Sequence, residues 1–175
     1  KGAAEIAISS WRRSFFNPAD YGTKHHVSLA SVRAGNVIGG GDWALDRIIP
    51  DCIKALEAGK TVDIRSPKAI RPWQHVLEPL SGYMLLAKMM WDEPTKYCEG
   101  WNFGPRTDSI TPVWNVAQDV VKYYGSGTLN DVSDPNAPHE AKLLMLDISK
   151  AKFLLKWEPR MNIHQCVELT VDWYQ

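Results

Sequence analysis

A chain of 175 residues, 45% of them hydrophobic, is long enough to bury a core and short enough to be one domain or part of a larger one. Twenty Lys and Arg balance twenty Asp and Glu, which argues against generic polyanion binding. No apolar run reaches the roughly 18 residues of a membrane span, and Lys1-Gly2-Ala3-Ala4-Glu5 carries neither an initiator Met nor a signal-peptide layout. Cys52, Cys98 and Cys166 are odd in number and widely spaced, so reduced cytoplasmic thiols are expected rather than disulfides or a zinc knuckle.

Ala3, Ile6, Ala7, Ser10, Trp11, Ser14 and Phe15 share one stripe, which predicts a helix over residues 2 to 16, stopped by Asn17-Pro18. It starts without a capping segment, so the chain is expected to be cut from something longer. Residues 26 to 34 read as a strand buried on both faces, uncharged until Arg33. Gly35, Gly39, Gly40 and Gly41 then make a loop through Trp43. A helix follows over 46 to 58, with Pro50 in its first turn and Gly59 at its end. Residues 61 to 65 read as a strand, 71 to 76 as an extended segment, 77 to 91 as a helix and 100 to 103 as a strand. A helix over 112 to 124 starts with Pro112 and ends at Gly125. Residues 126 to 138 have the composition of a loop, 142 to 146 of a strand, and a short helix runs to Leu155. Asn162 caps a last helix over 163 to 174. This alternation predicts an α/β fold with at least partly parallel pairing.

From the residues alone, the chemistry is weakly marked. No Gly-x-Gly-x-x-Gly joins a strand to a helix, and there is no P-loop. Gly39-Gly40-Gly41 fits a phosphate cradle or a flexible turn. Arg47, Arg65 and Arg71 each lie at the edge of an element, where three bidentate donors would suit a diphosphate. Surface pairing with Asp46, Asp63 and Glu78 is the simpler account on spacing alone. His25 and His26 cannot chelate together from one strand face, and no His-x-x-x-His exists, so no metal is expected. His75, His139 and His164 read as surface or structural residues, with His139 open to ligand contact in its loop. Cys52 and Cys166 lie on apolar helix faces and read as core thiols. Trp43 and Trp73, in loop-like surroundings, are candidates for a pocket wall.

Five runs change that balance: Lys1-Gly2-Ala3-Ala4-Glu5, Val32-Arg33-Ala34-Gly35-Asn36-Val37-Ile38-Gly39, Arg71-Pro72-Trp73-Gln74-His75-Val76, Trp101-Asn102-Phe103-Gly104 and Leu155-Lys156-Trp157-Glu158-Pro159. In order and spacing they resemble the second half of the extended short-chain dehydrogenases, beginning at the lysine of the Tyr-x-x-x-Lys motif. The run from Ala34 to Trp43, the run from Ile70 to Leu80, Ser14-Phe15-Phe16-Asn17 and Pro138-His139-Glu140-Ala141 are most similar to the CDP-glucose 4,6-dehydratases within that family. Pro72 stands where dTDP-glucose dehydratases and UDP-sugar epimerases usually carry Asp.

The resemblance implies the tail of a Rossmann-like parallel sheet plus a smaller C-terminal α/β substrate-binding domain. Residues 1 to 45 would end the NAD-binding domain. Residues 46 to 175 would form mainly the sugar-nucleotide domain, with segments at about 66 to 104 returning to the sheet. It implies NAD as cofactor, CDP-glucose as substrate and CDP-4-keto-6-deoxyglucose as product, for deoxysugars of bacterial surface polysaccharide such as O-antigen. It also implies a cytoplasmic homodimer, with no nucleic-acid or membrane partner. Lys1 matches the lysine that binds the nicotinamide ribose and lowers the pKa of the Tyr. Gly35 matches a backbone contact at the nicotinamide end, and Asn36 and Arg71 match contacts to the substrate diphosphate. Arg47 and Ile48 match the helix-start pair at the nucleotide. Arg65 stands, across a one-residue gap, near a position that meets the base. Asn102 and His139 match late positions near the nucleotide. The Tyr, the glycine-rich loop and the dehydrating acid/base pair all fall outside these residues, so the chain alone is expected to be inactive. The alternatives are another sugar-nucleotide epimerase or dehydratase, or a non-catalytic nucleotide-binding module.

Overall fold

The computed structural model describes residues 1 to 134 and 144 to 175. In chain order the elements are α1 (Gly2–Ser14), β1 (Ser31–Ala34), β2 (Asn36–Ile38), α2 (Ile48–Glu57), β3 (Val62–Ile64), β4 (Ile70–Arg71), β5 (Trp73–His75), α3 (Leu77–Asp92), β6 (Gly100–Phe103), β7 (Thr111–Pro112), α4 (Val113–Tyr124), β8 (Leu129–Asp131), a π-helical turn (Ala151–Leu155) and α5 (Ile163–Tyr174). They form two units: Lys1–Ala34, Pro79–Phe103 and Asp147–Glu158 in the first, and Gly35–Glu78, Gly104–Leu146 and Pro159–Gln175 in the second. Among the described residues, β1 pairs with β6, β2 with β5 and β3 with β8, all parallel, while β4 and β7 run antiparallel. The α/β class with parallel pairing, expected from the alternation of elements, is therefore present.

In the first unit, β1 and β6 register Ser31 with Gly100 through Ala34 with Phe103. The alternation of β6 sends Trp101 and Phe103 into a core of Leu86, Tyr97, Ala151, Leu155 and Trp157. Phe103 meets Trp157 edge to face at 4.9 Å and Tyr83 at 5.4 Å. The buried indoles keep their donors satisfied. Trp101 donates to the Tyr97 carbonyl at 3.0 Å, and Trp157 to the Ser81 hydroxyl at 2.9 Å. Gly82 lets α3 approach, because a Cβ there would collide with the Phe103 ring. By contrast, α1 buries none of its residues.

In the second unit, α2, α4 and α5 contribute Ile49, Ile53, Leu56, Val116, Val120, Val167 and Val171 to a core shared with Val62, Ile64 and Trp73. Asn162 forms a full capping box with Gln165, as its position before the apolar run predicts. Asn162→Ala is expected to cost about 1 kcal/mol in a urea titration. Glu78 is buried, and its Oε1 accepts from the backbone N–H groups of Arg160 and Met161 at 2.8 and 2.6 Å. The buried His75 accepts from the Leu77 N–H through Nδ1 at 3.3 Å. Burial holds this imidazole below its ordinary value of 6.5, against the pull of Glu78. Because the folded value lies below the unfolded one, its contribution to stability is complete above pH 6.5 and is lost as the pH falls below it. His75→Gln should flatten that part of the stability–pH curve, which melts at stepped pH would show.

Several elements differ from expectation. The strand expected over 26 to 34 forms only at Ser31–Ala34, the stretch that finds β6. The glycine-bearing loop contains β2, held by parallel pairing with β5. The loop expected over 126 to 138 contains β8, paired with β3. Each of these two strands has only three residues and depends on a partner distant in sequence, which composition does not register. Residues 144 to 146 are irregular, and the rest of the strand expected there lies outside the described residues. The short helix ending at Leu155 is a π turn. No helix among the described residues is long and apolar enough to cross a membrane.

Candidate functional site

Two contacts set the direction of α1. Glu5, near its start, accepts from the Ser31 hydroxyl at 2.8 Å and lies 3.7 Å from Arg33, both on β1. Arg12, near its end, donates to the carbonyl of Leu29, before β1, at 2.9 Å. So α1 runs antiparallel to β1 and presents Lys1 toward the carboxyl ends of β1 and β6. Open α/β sheets bind ligands at that edge. Lys1 is exposed. Asn102, opposite Arg33 in the register, donates to the Asp147 carbonyl at 3.0 Å. Its Oδ1 is buried with no hydrogen-bond partner among the described residues.

In the second unit, Gly35, Asn36 and Arg71 converge on Pro72. A Cβ at Gly35 would collide with the Pro72 carbonyl oxygen, and the Asn36 N–H donates to that same oxygen at 2.9 Å. Asn36 registers with Trp73 across the parallel β2–β5 pair. Arg71 is half-buried, one of its Nη groups donating to the Ile70 carbonyl at 2.9 Å. Pro72 occupies the position between them, where it contributes no N–H of its own.

Arg47 and Arg65 hold carboxylates. Arg47 meets Asp42 at 3.1 Å, and Arg65 meets Asp46 at 2.9 Å and Asp51 at 4.0 Å. Asp46 adopts a left-handed φ of 60° directly before Arg47. Desolvation raises the Asp51 carboxyl even with Arg65 and Lys54 nearby. Ile48 opens α2 and packs against the core. Of the surface pairings anticipated for the arginines, Arg65 with Asp46 is present, whereas Asp63 accepts from Asn130 at 3.0 Å.

The glycine run is shaped by α5. A Cβ on Gly40 would collide with the Trp173 indole, and the Tyr174 hydroxyl donates to the Asp42 carbonyl at 2.6 Å. Trp43 stacks edge to face on Tyr174 at 5.1 Å and stays half-exposed. Trp73 is buried, with Nε1 lacking a partner among the described residues. Burial pushes the Cys52 and Cys166 thiols up to about 12 and about 11, as core thiols require. His139 lies outside the described residues. Asp42 and Glu5, which meet Arg47 and Arg33, were not singled out from the sequence as partners, whereas Asp46 was among the carboxylates anticipated for the arginines. The adjacency of Asp42 to the glycine run was the one pointer to either of these two.

The chain is 49% identical over all 175 residues to CDP-glucose 4,6-dehydratase of Salmonella typhimurium, of which it covers 48%. It thus spans about half the length of this curated relative, and the resemblance drawn from its motifs extends over the whole chain. No family model matches. Among solved structures it is similar to dTDP-glucose 4,6-dehydratase of Bacillus anthracis in complex with NAD, with a TM-score of 0.77 and 18% identity over 99% of this chain and 50% of that one. It is also similar to UDP-glucuronic acid 4-epimerase of Bacillus cereus in complex with UDP-glucuronic acid and NAD, with a TM-score of 0.76 and 21% identity over 99% of this chain and 50% of that one. At these identities the solved structures establish a shared fold.

Proposed function

We propose, for a chain related along its whole length to a CDP-glucose 4,6-dehydratase, that it forms the C-terminal, substrate-binding half of an NAD-dependent enzyme converting CDP-glucose to CDP-4-keto-6-deoxyglucose. The observation that carries this reading is the 49% identity sustained over all 175 residues. The arrangement of the side chains is compatible with it. Arg71 and Asn36 flank Pro72 and bind the diphosphate, Arg71 by its fork of donors and Asn36 by its amide. Arg47, Ile48 and Arg65 take the nucleotide, and the arginines exchange Asp42 and Asp46 for the incoming ligand. Asn102 and His139 complete its contacts.

An exposed cation at the carboxyl edge of β1 and β6 fits the ribose of a dinucleotide, and the Gly35 backbone meets the nicotinamide end. When bound, NAD supplies the hydride acceptor and donor. Lys1 binds the ribose hydroxyls and holds positive charge beside a tyrosine base contributed from before Lys1 in the intact enzyme. The first unit then belongs to the NAD-binding domain and the second mainly to the sugar-nucleotide domain. The intact enzyme is a cytoplasmic homodimer serving deoxysugar synthesis for surface polysaccharide. Its subunits pair through α1, whose Ile6, Trp11 and Phe15 are 73%, 58% and 64% exposed.

Calorimetry with CDP-, dTDP- and UDP-glucose on the intact enzyme tests the substrate. Preference for the cytidine compound is expected. Equal or tighter binding of a uridine or thymidine sugar would reassign the chain to another sugar-nucleotide enzyme. These 175 residues alone should bind CDP at most weakly and turn nothing over.

A further inference from the structure

Lys1 and Glu5 stand four residues apart at the start of α1, with the Glu5 N–H donating to the Lys1 carbonyl at 3.1 Å. On an isolated helix this spacing pairs lysine with glutamate. Here the carboxylate is taken elsewhere. Glu5 Oε2 accepts from Ser31 Oγ at 2.8 Å and lies 3.7 Å from the Arg33 guanidinium. Arg33 is itself constrained. Its Nε is buried without a partner among the described residues, and its far end lies across Gly100, where a Cβ would sit only 2.8 Å from the guanidinium nitrogen. A bare backbone at Gly100 is therefore what lets Arg33 lie flat and reach Glu5. Since α1 buries no side chain, its attachment to β1 is polar, through Glu5 at one end and Arg12 at the other.

We propose that Glu5, Ser31 and Arg33 form a positioning cluster for Lys1: Ser31 and Arg33 draw the Glu5 carboxylate onto β1, which fixes the first turn of α1 and leaves the Lys1 ammonium unneutralised at the strand edge. The inference rests on the reading of Lys1 given above and adds the residues that keep that lysine available. Glu5 acts through Lys1 and does not touch the substrate. Among the described residues, the charged groups placed near Glu5 are Lys1, one turn before it on its own helix, and Arg33 on β1, while Arg12 is committed to the Leu29 carbonyl.

The test is a pH titration of the Lys1 side chain by NMR, in the intact enzyme labelled with 13C at the lysine ε-carbon and with Lys1→Arg used to assign the signal. Arg33→Gln should release Glu5 to pair with Lys1 and raise its titration midpoint by about 0.1–0.4, the value of one helical ion pair. Adding Glu5→Gln to Arg33→Gln should return the midpoint to that of the parent. In parallel, kcat on CDP-glucose should fall in Arg33→Gln with KM unchanged, and recover only in part in the double variant, where Lys1 is again unpaired but the hold on the first turn is not restored. A Lys1 midpoint unmoved by Arg33→Gln, or one still raised in the double variant, overturns the proposal. If Arg33→Gln does not fold, Ser31→Ala serves instead. It removes one of the two holds on Glu5 and should give a smaller rise in the same direction, and no rise overturns the proposal. If the dehydratase reading itself is wrong, the parent will not consume CDP-glucose, whereas the lysine titrations still report on the cluster.

Discussion

Arg71→Ala is expected to weaken CDP-glucose binding by about ten- to a hundredfold, the worth of charge-assisted hydrogen bonds to a diphosphate. Arg71 is the half-buried arginine beside Pro72 and shares that corner with Asn36, whose N–H is bound to the Pro72 carbonyl at 2.9 Å. A half-buried guanidinium is partly desolvated before ligand arrives, so its interaction with phosphate is less screened than that of the exposed Arg47 and Arg65. Arg47→Ala and Arg65→Ala should therefore cost less, and their loss should depend more steeply on salt. Arg71→Lys keeps the charge but not the planar fork and should fall between parent and Arg71→Ala. Calorimetry at two salt concentrations checks all four statements. Equal losses for the three arginines would contradict the special place of Arg71.

The largest stability effect is expected at Phe103. Its ring is 0% exposed and fixed between Trp157 and Tyr83, with Gly82 of α3 directly against it. Phe103→Ala empties that position and should cost about 3–5 kcal/mol. Such a loss is a large fraction of the 5–15 kcal/mol typical of a domain, at roughly that order. Denaturant titration followed through the buried tryptophans of the first unit, Trp101 and Trp157, would register it. Phe103→Leu keeps most of the volume and should cost well under half as much. A loss below about 1 kcal/mol for Phe103→Ala would contradict the close packing described for this core.

Much of the fold was legible because local signals and tertiary packing agree. The apolar face of Ile49, Cys52, Ile53 and Leu56 marks α2, and the same residues enter the core. Asn162 before its apolar run marks the start of α5, and Gly125 in the left-handed region marks the end of α4. Strands β2 and β8 were not legible. Three residues carry too little pattern, and their hydrogen bonds lie with β5 and β3. The site was legible chiefly through resemblance. Spacing alone could not bring Gly35 and Asn36 against Pro72, because that closeness is created by the β2–β5 pairing. Nor could it pair Arg47 with Asp42, since the loop that carries Asp42 is held by Tyr174, 132 positions further along. The glycine run illustrates a signal with two readings. It looked suited to phosphate, and in the structure Gly40 answers the bulk of Trp173.

Dehydration of a cytidine diphosphosugar by the intact enzyme would leave an isotopic trace. CDP-glucose carrying deuterium at C4 would be incubated with the enzyme and the product examined by NMR. The expected product is CDP-4-keto-6-deoxyglucose with the deuterium at C6, because hydride leaves C4 and returns after loss of water. A product that keeps deuterium at C4 in an epimerised hexose, or no consumption of CDP-glucose while a uridine or thymidine sugar is turned over, would contradict it.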